Sequence, residues 1–272
     1  MTVAMDQDLL APGVRRLSRH ALGDMVAWYV LDEPTGRVGL WLLPSSREPD
    51  IVERRAVLES HAVARYVKYS ENNPLKAWSV DGLVQVAARY PGCPIGRGQG
   101  RSLRRWPASE ALRLVDQRVD TDVDRCTVVT ILQSPVLRVE HRLSHRADES
   151  FARINVVVDN QADHDVHLDL ISSFSLGGIT PFARDDAPGR LRLHRFRSAW
   201  AMEGRHVVDR FEHLHLDRTW AGYNQVAERF GGLGSRAVTT WFPLAAIEGT
   251  RAGVVWGAQL HCQASWQMEV FR

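Results

Sequence analysis

Alternating apolar and polar positions predict β-strands along most of this chain. Residues 27–31 and 38–43 are two apolar runs, and they flank Glu33-Pro34-Thr35-Gly36. Proline early and glycine late in such a segment are typical of a tight turn between two strands. The first part of the chain therefore predicts a β-hairpin.

The middle of the chain has the same pattern. Residues 136–146 place Val139, His141 and Leu143 on one face and charged side chains on the other, which predicts a strand with one wet side. Residues 154–158 and 166–171 are apolar runs on either side of the polar segment 159–165. We expect that segment to be a hairpin connection between two neighbouring strands.

Further strands are predicted at residues 83–88, 111–119, 127–132, 191–201, 205–216, 238–242, 253–260 and 265–270. Helical patterns are few: Glu48 to Tyr66 is the best candidate, and Tyr223 to Phe230 predicts a short turn. Many strands without alternating helices favour a sandwich over a βαβ fold. We therefore expect one all-β domain over residues 1–272, a large β-sandwich with few short helices.

Composition and charge exclude several classes of protein. The chain is 44% hydrophobic and 24% charged, with a net charge of +2 that is too small to indicate a nucleic-acid partner. Cys93, Cys126 and Cys262 are far apart and odd in number, which predicts neither a disulfide framework nor a zinc site. The absence of a signal-like or bilayer-long apolar run predicts a cytoplasmic protein with no membrane partner.

The region from Leu191 to Arg272 contains five of the nine tryptophans and a series of short motifs. The motifs are 196–198 (FRS) with Trp200, 203–205 (EGR), 228–231 (ERFG), 234–235 (GS), 253–260 (GVVWGAQL) and 265–270 (SWQMEV). Together they resemble the N-terminal β-sandwich domain of bacterial α-galactosidases of glycoside hydrolase family 36. The resemblance is weaker in 90–119 and 143–176.

This resemblance implies a galactose-mutarotase-like supersandwich fold and a parent enzyme that hydrolyses terminal α-galactosides with retention of configuration. It also implies that the two catalytic aspartates lie in a following (β/α)8 barrel, the nucleophile in a Lys-Trp-Asp motif. Neither that motif nor a βα repeat occurs here. We therefore expect a domain without the barrel, which has no catalytic residues, no cofactor and no hydrolase activity of its own, and which forms homo-oligomers.

The glycine-rich segment from Tyr90 to Arg101 (YPGCPIGRGQGR) is a predicted long loop. A phosphate site would need a helix after the glycines, and the following SLRRWPASE shows no helical period. In the family, a loop of this type reaches the substrate pocket of an adjacent subunit. The resemblance therefore nominates Tyr90, Pro91, Gly92, Arg101 and Trp106 as pocket or inter-subunit residues.

Aromatic residues are numerous enough to serve both packing and sugar binding. Trp28, Trp41, Trp256 and Trp266 lie within strand-like runs and predict core or interface positions. Loop-like neighbours surround the candidates for sugar or subunit contacts, Trp78, Trp106, Trp200 and Trp220. The resemblance assigns interface or packing roles to Trp200, Arg205, Arg229, Trp256 and Trp266.

Two alternatives follow from the same residues. A sugar mutarotase is also a large β-sandwich and would need a histidine acid and a carboxylate base, for which His213 with Glu248 or Glu269 can be nominated. A stand-alone carbohydrate-binding module is the other.

Histidines at spacings 141/145, 164/167 and 213/215 predict structural roles, with no metal bound, because no third ligand accompanies them. The carboxylates available are Glu203, Asp209, Glu228, Glu248 and Glu269.

Overall fold

The all-β prediction is confirmed. A computed structural model describes residues 9–11, 14–51, 80–93, 106–179, 181–183, 187–216, 227–233, 240–261 and 264–271. Strands dominate these residues, and they form several antiparallel sheets. Contacts between Cα atoms divide the chain into unit 1 (Met1–Arg97 with Arg104–Gly178) and unit 2 (Gly98–Leu103 with Ile179–Arg272).

The first sheet of unit 1 is an antiparallel meander. Its strands are β1 (Leu9–Ala11), β2 (Val14–Leu22), β3 (Met25–Asp32) and β4 (Arg37–Pro44), paired in that order. The predicted turn joins β3 to β4: Gly36 has φ +66°, and its N–H donates to the Asp32 carbonyl at 2.7 Å. A 3-10 helix (Ser45–Arg47) follows β4.

Two more sheets complete unit 1. One pairs β5 (Val86–Arg89) with β10 (His167–Ile171), and the other contains β6 (Arg113–Thr121), β7 (Arg125–Gln133), β8 (Leu137–Arg146) and β9 (Ala152–Asn160) in order. A short helix, α1 (Pro107–Glu110), precedes β6. Sequence alone predicted no helix there, but proline suits the first turn of a helix, where its missing N–H costs nothing.

The hairpin predicted across residues 159–165 is wrong. β9 pairs with β8 and β10 pairs with β5, so this segment connects two different sheets. The loop closes on itself instead, because the Asn160 side chain donates to the His164 carbonyl at 2.8 Å and accepts from the Ala162 N–H at 3.0 Å. Turn residues mark the end of a strand and do not select its partner.

Apolar side chains from the first sheet, from β5 and from the β6–β9 sheet form one core in unit 1. On β8, Val139, His141 and Leu143 face this core as predicted. Glu140 lies on the other face but is also buried, because arginines cover it. The nearest of them, Arg142, lies 3.1 Å from the carboxylate and lowers the pKa of Glu140.

Unit 2 contains two sheets. The larger has the order β12 (Arg205–Arg210), β11 (Leu191–Arg197), β14 (Trp241–Gly249) and β15 (Val254–Gln259), and the smaller pairs β13 (Ala227–Gly232) with β16 (Trp266–Phe271). Its core joins Leu193, Phe211, Leu216 and Met268 with three aromatic rings of the smaller and larger sheets.

Two sequence predictions in unit 2 are corrected. The turn predicted at Tyr223 to Phe230 is wrong over 227–230, which belong to β13, since pairing with β16 overrides the local preference of these residues. The strand predicted over residues 205–216 ends at Arg210, and Phe211–Leu214 form a 3-10 helix. The predicted helix Glu48 to Tyr66 is helical at residues 48–51, and the remainder lies outside the described residues.

No helix in the described part of the chain is both long and apolar enough to cross a bilayer.

Gly178 provides a test of the packing around β4. It has φ +64°, and a methyl group added to its Cα would lie 2.5 Å from the Trp41 ring. We expect Gly178→Ala to lower the free energy of unfolding by about 3 kcal/mol, because about 1–2 kcal/mol of backbone strain adds to the clash.

Urea denaturation measures this change. The control is Gly92→Ala, also in unit 1, where φ is +76° and an added methyl group meets nothing within 4 Å. In this control we expect only the backbone strain to lower the free energy of unfolding, by about 1–2 kcal/mol. Equal losses in the two variants would contradict the predicted contact with Trp41.

Candidate functional site

Cys93 and Ser109, which lie on either side of residues 94–105, both contact β5. Cys93 at the start places its thiol 3.6 Å from the Ala88 carbonyl. Ser109, in the helix after the loop, accepts from the Val86 N–H at 2.6 Å and donates to the Val86 carbonyl at 3.1 Å. The described residues before and after 94–105 therefore contact the same strand.

A tight turn starts the loop. The Cys93 N–H donates to the Tyr90 carbonyl at 3.0 Å, which makes Pro91 and Gly92 the two central residues. Gly92 has φ +76° and is exposed. Proline followed by a glycine with positive φ is the arrangement of a type II turn, so the sequence itself fixes the direction in which the loop leaves β5.

Tyr90 is the central side chain of this candidate site. It is half-buried against the unit 1 core, and its ring lies 6.4 Å from the His164 ring. Burial raises the pKa of Tyr90, and the neighbouring Cys93 thiol raises it further. The phenol therefore stays protonated at neutral pH and can both donate and accept hydrogen bonds.

Charged groups lie on the adjoining strand pair. The Arg89 guanidinium donates two hydrogen bonds to the Asp169 carboxylate, at 2.8 and 2.7 Å. His167 Nε2 lies 3.2 Å from the same carboxylate. Arg89 lowers the pKa of Asp169, so the acid is held as a carboxylate in a fixed orientation. All three groups are exposed and available to a ligand.

The structure brings together only some of the nominated loop residues. Tyr90, Pro91 and Gly92 share the turn, and Trp106 is half-buried at the residue before α1. Arg101 lies outside the described residues. His164, whose ring lies near Tyr90, and the ion pair of Arg89 with Asp169 were not nominated from sequence. Arg89 and Asp169 come together because β5 pairs with β10, and spacing along the sequence does not reveal that pairing.

Unit 2 contains a second constellation that sequence reasoning missed, centred on Arg195 of β11. Its side chain is buried and contacts two carboxylates, Asp209 of β12 at 2.6 Å and Glu228 of β13. Since β12 and β13 belong to different sheets, this guanidinium joins the two sheets of unit 2.

Aromatic rings cover the Arg195 guanidinium. Its central carbon lies 4.5 Å from the centre of the Trp241 ring and 5.1 Å from that of Phe230. Phe230 in turn makes edge contacts with Trp241 and Trp266. The charge of the guanidinium is balanced by the two carboxylates, and its faces are covered by aromatic rings.

The residues nominated for interface or packing have different environments. Trp256 and Trp266 are buried, and the Trp256 ring stacks on Phe182. Trp200 is 91% exposed on the β11–β12 connection. Arg205 is also exposed, and Arg229 forms an ion pair with Glu269 at 3.2 Å. Any interface role of these residues stays a prediction.

Of the other nominated tryptophans, Trp28 and Trp41 lie on neighbouring strands of the first sheet. Trp28 is buried and donates to Glu48 at 2.7 Å, and its ring stacks on the half-buried Trp41. Trp78 and Trp220 lie outside the described residues.

No group of three metal-ligating side chains occurs among the described residues. His213 and His215 do not share a strand face, because His213 is in a 3-10 helix and His215 has φ +55°. Glu248 is hydrogen-bonded to His194 at 3.1 Å, so the nominated pairing of His213 with Glu248 is not observed.

The carboxylates nominated from sequence are all in structural contacts. Glu203 accepts from the Ala201 N–H, Glu269 contacts Arg229, and Glu248 contacts His194. Asp209 and Glu228 approach one another only across Arg195, whose guanidinium fills the space that a sugar would need between a nucleophile and an acid. This geometry supports structure rather than glycoside cleavage.

Comparisons with known proteins agree with this architecture. No family model and no curated protein matches the chain. Among solved structures, the GH36 α-galactosidase AgaA from Geobacillus stearothermophilus matches with a TM-score of 0.51 and 11% identity, over 85% of this chain and 31% of that chain. A variant of AgaA in complex with stachyose also has a TM-score of 0.51, with 12% identity over 93% and 35% of the two chains.

This chain shares the fold of part of a GH36 α-galactosidase. It spans about a third of the length of AgaA, and the predicted resemblance is confirmed at the level of the fold.

Arg195 offers a direct test of unit 2. We expect Arg195→Met to lower the free energy of unfolding by about 3–5 kcal/mol, because Asp209 and Glu228 lose their shared partner in a partly buried site. Urea denaturation followed by tryptophan fluorescence measures it. Arg205→Met, at an exposed position on the neighbouring strand, is the control and should change stability by less than about 0.5 kcal/mol. A loss at Arg195 no larger than at Arg205 would show that the ion pairs are dispensable.

Proposed function

We propose that this chain is the N-terminal, non-catalytic domain of a retaining α-galactosidase, which supports assembly and shapes the outer part of the substrate pocket. The observation that carries the proposal is the fold shared with a third of AgaA over most of this chain. The substrates proposed for the parent enzyme are oligosaccharides with a terminal α-galactoside.

The environment of the acids supports a non-catalytic role. A retaining glycosidase needs two carboxyl groups about 5–5.5 Å apart with the sugar between them. In unit 2 a guanidinium lies between Asp209 and Glu228, and Glu248 and Glu269 have their own basic partners. The catalytic acids of the parent would therefore lie outside the described residues.

The turn at Tyr90 supports the contribution to a pocket. A protonated phenol, a fixed carboxylate at Asp169 and the Arg89 guanidinium offer both donors and acceptors, as the hydroxyl groups of a sugar require. Cys93 and Ser109 contact β5, which holds the described residues before and after the loop. We propose that the loop starting at Tyr90 forms one wall of the outer pocket, in the same subunit or in a neighbouring one.

We expect the purified chain to release no 4-nitrophenol from 4-nitrophenyl α-galactoside above the uncatalysed rate, because the acids nominated from sequence have structural partners in the described part of the chain. A colorimetric assay measures the release. Activity that survives purification and is lost in Glu228→Gln would contradict the proposal, since it would place the chemistry in this domain.

The same preparation separates the two alternatives. Acceleration of galactose mutarotation, followed by polarimetry, would favour a mutarotase. Binding of an α-galactoside without turnover, measured by calorimetry, would favour a stand-alone carbohydrate-binding module.

The proposed role in assembly predicts an effect of Trp200. Trp200 is 91% exposed and Met202 is 60% exposed on the same connection, a combination typical of a contact surface. We expect Trp200→Ser to weaken self-association at least about tenfold, as is common for a central interface tryptophan. Sedimentation velocity measures it, with Val123→Ser, also fully exposed but in unit 1, as the unaffected control. Equal association of both variants would argue against an interface at Trp200.

A further inference from the structure

A row of polar side chains crosses the interior of unit 1. Ser18 of β2 contacts the Gln117 side chain of β6 at 2.5 Å, and Gln117 donates to the Thr130 hydroxyl of β7 at 2.8 Å. His20 Nε2 lies 2.9 Å from the Ser18 hydroxyl at the half-buried end of the row. The row therefore links the first sheet to the β6–β9 sheet through hydrogen bonds.

His141 lies at the inner end of this row, opposite Thr130 in the β7–β8 register. It is fully buried, and among the described residues neither ring nitrogen has a hydrogen-bond partner. The Tyr29 ring from the first sheet meets it edge to face at 6.4 Å. A buried imidazole without partners is costly, and it becomes far more costly when it carries a charge.

No acid balances such a charge. The titratable groups at the interior positions around His141 are Tyr29 and His20 from the first sheet, and Cys126 and His145 from β7 and β8. Among the described residues of these strand faces there is no Asp or Glu. The nearest acid in sequence, Glu140, points to the opposite face and contacts arginines there.

We propose that His141 is an acid-operated switch of unit 1, in which protonation of its ring separates the first sheet from the β6–β9 sheet. In the closed state the ring is neutral and packed against Tyr29. In the open state water reaches the ring and stabilises the imidazolium. No contact available in the closed state replaces that solvation.

The pH range follows from linkage. Burial lowers the pKa of His141 from 6.5 to about 4. The open state therefore binds the proton more tightly, so closed-state stability is fully present above pH 6.5 and is lost as pH falls towards 4. The full difference corresponds to a decrease of about 300-fold in the closing equilibrium constant.

Separation of the two sheets would also affect the residues of the candidate site around Tyr90. Val86 and Ala88 of β5 and the Tyr90 ring pack in the same core cluster as Tyr29 and the neighbours of His141 on β8. Loss of this core would release the strand that holds both ends of the loop. The switch itself does not depend on the proposed function, and its test measures only the fold.

Hydrogen exchange of the full chain tests the switch. Amide exchange in β3 and β8, corrected for intrinsic rates, is compared at about pH 7 and about pH 4.5. We expect protection to fall by about 50–100-fold at the lower pH in the natural chain and by less than about threefold in His141→Phe, which keeps an aromatic ring but cannot be protonated. His206→Phe, at an exposed position in unit 2, should behave like the natural chain.

Retention of the full acid-dependent loss in His141→Phe would overturn the proposal. If that variant fails to fold, NMR titration of the natural chain decides. A His141 ring that stays neutral until β3 and β8 lose protection supports the switch. A ring that protonates near pH 6.5 while both strands remain protected disproves it.

Discussion

The need of every buried polar side chain for a partner governs the interior of both units. In unit 2 the need is met for the charge of Arg195, which has a carboxylate from each of two sheets and aromatic rings on its faces. In unit 1 it is met along the row from Ser18 to Thr130 and ends unmet at His141. One unit is thus held by a buried charge, and the other depends on a buried group remaining uncharged.

The same constraint explains the arrangement of two acidic residues in unit 2. Asp209 and Glu228 both contact the Arg195 guanidinium, which is therefore their shared partner. Their geometry is a consequence of joining two sheets.

In the region of the candidate loop, local backbone preferences determine the turn, and long-range contacts determine the surrounding side chains. Pro91 and Gly92 set the turn by their own backbone preferences, so sequence could identify it. The contact of Ser109 with β5, the approach of His164 to Tyr90 and the pairing of Arg89 with Asp169 join parts of the chain that are distant in sequence. The residues that surround the nominated tyrosine were therefore beyond prediction from spacing.

The sequence by itself determined the all-β class, most strands of unit 1 and the turn between β3 and β4, because alternation and turn preferences act over a few residues. It also indicated the resemblance that the shared fold confirms. Only the tertiary structure decided that β9 and β10 do not pair, that residues 227–232 form a strand, and that Arg195 and His141 occupy opposite electrostatic situations. Strand partners and buried neighbours come from distant parts of the chain. The two-residue alternation of a strand shows which side chains share a face, but it does not show which residues will pack against that face.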